Sequence, residues 1–237
     1  MDGELIIKGG MELFFKKLFK AKEEHVLDYE LILKNNGVRK FNKSITLLII
    51  SDTHGDIKLQ KAMQDKLAGI RNYDACFMLG DISDNDCKII KEVIPLEKIY
   101  GLLGNHDRFS FLEEHNINNI NGKVININGV RIAGIQGTFK YKPEYFPSYT
   151  HEESIEFLKS VPEADILLSH DKPFIFETRD LVHDGLKGIT EYLYSNRVPI
   201  NIHGHLHTSY IANLRNGTVV KGVYGIELIT IRDGKII

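Results

Sequence analysis

Ile45-Thr46-Leu47-Leu48-Ile49-Ile50-Ser51-Asp52-Thr53-His54 begins as a nearly continuous apolar run and ends abruptly in a hydroxyl, a carboxylate and an imidazole. A short run of this kind is what a strand buried on both faces requires. The pattern recurs down the chain. Ala75 to Leu79 and Lys98 to Leu103 read as two more strands, with helices expected over Ile57 to Ile70 and Cys87 to Val93, the second stopped near Pro95. These strands run into Gly80-Asp81-Ile82-Ser83-Asp84 and Gly104-Asn105-His106-Asp107. Strands alternating with helices predict an α/β protein, and in open α/β sheets ligands bind beyond the carboxyl ends of the strands. Three loops there can share one site.

Beyond residue 120 the pattern changes. Val124 to Ile127 and Val130 to Ile135 flank Asn128-Gly129, and Asn216-Gly217 and Asp233-Gly234 repeat that hairpin signal. Helices are expected at Glu152 to Ser160 and near Gly188 to Ser195, and strands at Asp165 to Ser169 and Pro199 to His203. Two further polar clusters follow these strands, Ser169-His170-Asp171 and His203-Gly204-His205-Leu206-His207. With no internal repeat or low-complexity linker, the simplest partition is an N-terminal extension over 1–40 and one domain over 41–237. Within the extension, Met11, Phe14, Phe15, Leu18 and Phe19 follow helical spacing, with Lys16, Lys17, Lys20 and Lys22 mostly on other faces. Such a helix packs on its own domain or across a homo-oligomer, or lies on a membrane surface or a partner. His25 to Leu33 has a β-like pattern that suits an edge strand.

Composition excludes several classes. In 237 residues there are 30 Lys and Arg against 32 Asp and Glu, a balance that argues against wholesale capture of nucleic acid. The two cysteines, Cys76 and Cys87, are too few for a disulfide framework and point to a reduced, cytoplasmic setting. No apolar run approaches the roughly 20 residues of a membrane span, and the N-terminus lacks a signal-peptide layout. What stands out is histidine, of which there are 10.

The strand-end clusters offer Asp52, His54, Asp81, Asn105, His106, His170, His205 and His207. Carboxylate, neutral imidazole and amide oxygen without thiolate suit Mn²⁺, Fe, Zn²⁺, Co²⁺ or Ni²⁺, and the set is large enough for two ions. Asp52 with His54, and His205 with His207, are two residues apart, so each pair faces one cavity if the backbone is extended there. His203 is read as shaping the Gly204 turn. His25, His115, His151 and His183 read as ordinary structural or surface histidines, with His183 the one placed to line the mouth.

Asp52-x-His54, Gly80-Asp81-x-x-Asp84, Gly104-Asn105-His106-Asp107, His170 and Gly204-His205-x-His207 resemble the five ordered blocks of the calcineurin-like metallophosphoesterases. The resemblance covers roughly residues 45 to 210. It implies a four-layer α/β/β/α sandwich with two mixed β-sheets and a metal site at strand carboxyl ends. It also implies that Asp52, His54, Asp81 and His207 hold one metal and that Asp81, Asn105, His170 and His205 hold the other, with Asp81 bridging. Two ions about 3.5 to 4 Å apart turn a shared water into hydroxide near neutral pH and neutralise phosphate oxygens during in-line attack. No protein nucleophile is then needed, which agrees with the lack of a G-x-S-x-G elbow or a phosphate-cradling P-loop. His106 is the candidate acid for the leaving alkoxide. By the family pattern Asp84 orients it; Asp84 also suits a helix N-cap.

The Ser/Thr protein phosphatase branch follows its G-D-x-x-D with Arg-Gly and has Gly-Asn-His-Glu. Here Asp84 precedes Asn85-Asp86 and His106 precedes Asp107. Phosphodiesterase-like members resemble the present pattern more closely, so the leading expectation is a hydrolase of small phosphodiesters, nucleotide-like ones among them, using two divalent ions, Mn²⁺ first. A nuclease, a phosphomonoesterase and a non-catalytic scaffold are the alternatives. Arg108 is placed to contact a phosphate or to be a plain surface arginine. Phe139, Tyr141, Tyr145, Phe146 and Tyr149 either stack on a nucleobase or pack their loop, and Pro173 to Asp184 suits the other wall.

Overall fold

The computed structural model describes residues 28–176 and 180–237. In chain order its elements are β1 (Ser44–Ser51), α1 (Ile57–Gly69), β2 (Ala75–Met78), α2 (Asp84–Val93), β3 (Ile99–Gly101), α3 (Phe111–Glu114), β4 (Asn118–Asn119), β5 (Val124–Ile127) and β6 (Val130–Ile135). They continue as β7 (Thr138–Phe139), β8 (Ser148–Tyr149), α4 (His151–Lys159), β9 (Ile166–Ser169), α5 (Lys187–Ser195), β10 (Ile200–His203), β11 (Tyr210–Asn213), β12 (Val219–Gly222), β13 (Gly225–Arg232) and β14 (Lys235–Ile236).

Two mixed sheets carry the fold. The first runs β14-β13-β1-β2-β3-β4, with β1 to β4 parallel and β13 antiparallel to both β1 and β14. The second runs β11-β12-β10-β9-β6-β5, with a parallel centre and an antiparallel strand at each edge. Because side chains alternate along a strand, β1 divides its apolar residues between two cores. Leu47 and Ile49 meet Ile132, Ile166, Leu168, Ile200 and Ile202 between the sheets. Leu48 and Ile50 pack outward with Met63 and Leu67 of α1 and Cys87 and Ile90 of α2. A third cluster sets Ala133, Ile135 and Leu167 of the second sheet against Leu158 of α4 and Ile189 and Leu193 of α5. The layers are therefore helix, sheet, sheet, helix, the expected four-layer sandwich.

The three Asn-Gly and Asp-Gly signals all fall at antiparallel turns, joining β5 to β6, β11 to β12 and β13 to β14. The edge strand expected at His25 to Leu33 is corrected over residues 28–33, its first three residues lying outside the described ones. Tyr29–Ile32 is a turn of 3-10 helix, capped by the Asp28 carboxylate on Glu30 N. Its cause is Glu30, a buried carboxylate held by Tyr194 Oη and by Arg215 N at 2.8 Å. A carboxylate taken inside needs such donors, and they fix the chain against α5 and the turn between β11 and β12 in place of a ladder. The amphipathic pattern at Met11 to Lys22 lies outside the described residues. Among the described residues no helix is long and apolar enough to cross a membrane.

Candidate metal centre

The loops after β1, β2, β3, β9 and β10 converge between the two sheets. The expectation that paired ligands face one way through extended backbone is corrected. Asp52, His54, Asp81, His205 and His207 all have left-handed backbone, with φ of 56°, 49°, 55°, 66° and 48°. Each side chain is turned inward by its own kink. Such conformations cost roughly 1–3 kcal/mol apiece in non-glycine residues and persist where surrounding bonds over-determine them.

Those bonds are specific. Asp52 Oδ2 accepts from Ser51 Oγ at 2.6 Å and from His205 N at 2.7 Å, which ties the first block to the fifth. Asp81 Oδ1 accepts from His106 N at 2.9 Å, tying the second to the third. In each aspartate the second oxygen is buried and has no hydrogen-bond partner. Asp52 Oδ1 lies 3.6 Å from His207 Nε2, and Asp81 Oδ2 lies 3.6 Å from both His54 Nε2 and His170 Nε2. A buried carboxylate oxygen without a donor is costly unless a cation meets it.

The imidazoles are aimed at the same place. His170 Nδ1 donates to Leu79 O at 2.7 Å, which turns its Nε2 toward Asn105 Oδ1 at 3.1 Å; burial opposes its protonation, but the Asp81 and Asp52 charges outweigh burial and raise its pKa. His54 Nε2 and His207 Nε2 are likewise 3.1 Å apart. Each such contact is held by a proton on one imidazole nitrogen, and a metal ion can take that proton's place. His205 points Nε2 at Val182 O, 2.8 Å away, so only its Nδ1 is open to a metal, and His205 is not among the described carboxylates and imidazoles whose candidate atoms lie closest together. The ligating atoms of Asp52, His54 and His207 lie within 4.8 Å of one another, and so do those of Asp52, Asp81 and His170. The donor set therefore fits divalent cations of the Mn²⁺, Fe or Zn²⁺ kind. Burial lowers the pKa of His54 and His205, which favours the neutral, ligating form. Burial opposes ionisation of Asp52 as well, but the nearby His207 imidazole, the His170 charge, Ser51 and the His205 amide outweigh it and hold Asp52 at about 2.

Three glycines let these loops touch. A Cβ on Gly204 would stand 1.9 Å from Ser51 Oγ and 2.5 Å from Asp52 Oδ2, and one on Gly104 would stand 2.1 Å from Asp81 Oδ1. Gly80 combines φ +103° with an approach of 2.3 Å to Gly104 N. Gly204→Ala is accordingly expected to destabilise the fold by about 3 kcal/mol and to lower Tm by roughly 6–12 °C, because the side-chain atoms it would displace, Ser51 Oγ and Asp52 Oδ2, are held in the bonds that join the first block to the fifth. An unchanged melting curve would show that the β10 loop is looser than described.

Two carboxylates do not stand out in the sequence. Asp86 Oδ2 collects Thr53 Oγ1 at 2.7 Å, Gly55 N at 2.9 Å, Ser83 Oγ at 2.7 Å and Ser83 N at 3.2 Å. Ser83 and Asp86 form a capping box, and that S-x-x-D spacing is the available signal. Ser83, and not Asp84, is therefore the N-cap of α2. Asp107 Oδ2 accepts from Gly104 N at 2.7 Å and from Asp81 N at 2.9 Å, bracing the second and third blocks. Burial and the nearby Asp81 push the Asp107 carboxyl up to about 7.

The remaining expectations divide. His203 is buried between Gly204 O at 2.8 Å and Tyr210 Oη at 2.6 Å, a structural role, with burial lowering its pKa to about 4. His106 is exposed, and its ring meets the His54 ring edge-on at 5.3 Å. Asp84 does not bond to it. Asp84 instead binds Arg108 at 2.7 and 3.2 Å and His115 Nε2 at 2.7 Å. Arg108 Nε also donates to Glu114 at 2.7 Å. His183 stands with its ring 5.0 Å from that of His205, beside the site.

This chain belongs to the calcineurin-like phosphoesterase family, whose model matches residues 45–209. The class that fold and site define is thus a metallophosphoesterase hydrolase. Similar solved structures include a phosphopantetheinyl hydrolase from Mycobacterium tuberculosis, at 13% identity and TM-score 0.56 over 76% of this chain and 89% of that one. A putative 5′-nucleotidase from Staphylococcus aureus in complex with alpha-ketoglutarate aligns at 14% identity and TM-score 0.54 over 79% of this chain and 51% of that one. A protein from Thermus thermophilus aligns at 13% identity and TM-score 0.52 over 80% of this chain and 99% of that one. At these identities the likeness is one of fold. No curated protein matches the chain by sequence.

Proposed function

We propose that this protein is a dinuclear-metal phosphodiesterase acting on small, nucleotide-like esters. The observation that carries the reading is the pair of buried, unpartnered oxygens, Asp52 Oδ1 and Asp81 Oδ2, ringed by the imidazoles of His54, His170 and His207. Asp52, His54, Asp81 and His207 would hold one divalent ion and Asp81, Asn105, His170 and His205 the other, Mn²⁺ being the first choice. Bound there, the ions supply Lewis-acid stabilisation of phosphate charge and acidify a water.

The chain's own residues do the rest. His205 N and His106 N hold the two aspartates with one oxygen inward. Leu79 O fixes the tautomer of His170 and Val182 O that of His205. His106, exposed at the mouth, gives a proton to the departing ester oxygen. Asp84 has a different task from the one the family pattern implies. It holds Arg108.

The diester preference rests on that pairing. A phosphomonoester dianion calls for cationic charge beyond the metals, yet the guanidinium that follows the third block is shared between Asp84 and Glu114. Its charge is neutralised locally, which matches a monoanionic diester better. The test is turnover of bis(p-nitrophenyl) phosphate against p-nitrophenyl phosphate by Mn²⁺-loaded protein. The diester is expected to have a kcat/KM about tenfold higher or more. Faster monoester cleavage would move the assignment to a phosphomonoesterase.

A further inference from the structure

The aromatic segment Phe139 to Tyr149 resolves into packed rings and one that is not packed. Phe139 stacks on His151 at 4.5 Å, Tyr149 meets Phe157 at 5.2 Å, and Phe146 is buried against Tyr141 at 5.1 Å. Tyr145 is 90% exposed, and its ring partner is Phe109, stacked at 4.5 Å and 25°. Phe109 is itself 45% exposed and lies three residues after His106. Two loops that also carry site residues thus present a flat aromatic surface, Phe109 following His106 and Tyr145 following Tyr141, whose hydroxyl bonds Asn105.

That surface is fixed relative to the site. Tyr141 Oη accepts from Asn105 Nδ2 at 3.1 Å, the amide whose oxygen faces His170. Phe139 N donates to Asp171 Oδ2 at 2.9 Å, and Gly137 N donates to Leu103 O at 2.7 Å. Lys142 Nζ sits 5.0 Å from the centroid of the Phe146 ring in the same loop. Ile57, 81% exposed, follows the first block, and Leu181, 52% exposed, adjoins Val182, which anchors His205. Exposed apolar side chains thus occur beside two of the loops that carry ligand candidates.

We infer that the Phe109–Tyr145 pair is the subsite for a nucleobase on the substrate, a conclusion that rests on the phosphodiesterase reading. An open, flat pair extends its own stack onto a planar base, whereas an alkyl chain gains little from a face it cannot sink into. The phosphate then lies over Asp52 and Asp81 and the base over the aromatic pair.

The test compares two esters with one leaving group, thymidine 5′-(p-nitrophenyl phosphate) and methyl p-nitrophenyl phosphate, on the Mn²⁺-loaded protein. Base stacking of ordinary strength predicts a kcat/KM preference of about tenfold or more for the thymidine ester, carried by KM. Tyr145→Ala and Phe109→Ala are expected to bring that ratio to within about twofold, and Tyr145→Phe to keep it, because the ring face and not the hydroxyl makes the contact. A ratio that survives both alanine variants, or a loss equal on the two esters, overturns the subsite. Hydrolysis of neither ester by the unaltered protein instead defeats the phosphodiesterase reading, and the subsite falls with it.

Discussion

Asp81→Asn is expected to reduce phosphodiester turnover by about a thousandfold or more and to strip most of the metal from the protein, while the fold survives. Asparagine can keep the acceptor that His106 N uses at 2.9 Å, so the link between the second and third blocks remains. What changes is the second oxygen. Asp81 Oδ2, set 3.6 Å from both His54 Nε2 and His170 Nε2, becomes an uncharged amide end, and the bridge between the two ligand sets is lost. Metal analysis, a far-ultraviolet spectrum and turnover, measured on one preparation, separate the possible outcomes. Retained metal with near-normal turnover would mean that Asp81 is only a structural carboxylate.

His106→Ala has the second largest expected effect, and it should be of a different kind. His106 is exposed and reaches the ligand set through its backbone N–H, so removing the imidazole leaves Asp81 anchored. Turnover is expected to fall by roughly 10²–10⁴-fold on an ester with a poor alkyl leaving group and far less on a nitrophenyl ester, whose leaving group needs no proton. Metal content should stay near that of the parent protein. An equal loss on both esters would remove the proton-donor assignment. Loss of metal would make His106 a ligand.

The parts of the fold that are legible in the sequence are those governed by local rules. The run Ile45 to Ile50 feeds two cores through β1, and Asn128, Gly129, Gly217, Asp233 and Gly234 accept the positive φ that such turns demand. The ligand candidates are legible because polar residues stand at five successive strand ends. How they converge is not. Left-handed backbone at Asp52, His54, Asp81, His205 and His207 follows from bonds between loops, such as His205 N to Asp52, that join residues 153 apart in the chain. The same limit hides the partner of Asp84. His115 carries no motif, yet it folds back from the end of α3 to bond Asp84 across 31 residues. Asp86 looks like one more helix-surface carboxylate and instead binds the first block to the second.

Arg108 shows how such pairings bear on substrate choice. Its position after Gly104-Asn105-His106-Asp107 suggests phosphate contact, and only its partners Asp84 and Glu114 reveal how its charge is used. In the proposed reading, substrate discrimination would have two sources: the single negative charge of a diester and the aromatic pair Phe109 and Tyr145.

The most direct test of the central claim is the number of metal ions held per chain after the protein is equilibrated with Mn²⁺ and freed of excess by gel filtration, read by elemental analysis. Two ligand sets sharing Asp81 predict a ratio of about two. A ratio of about one would contradict the shared centre, and a ratio near zero would contradict the metal site altogether.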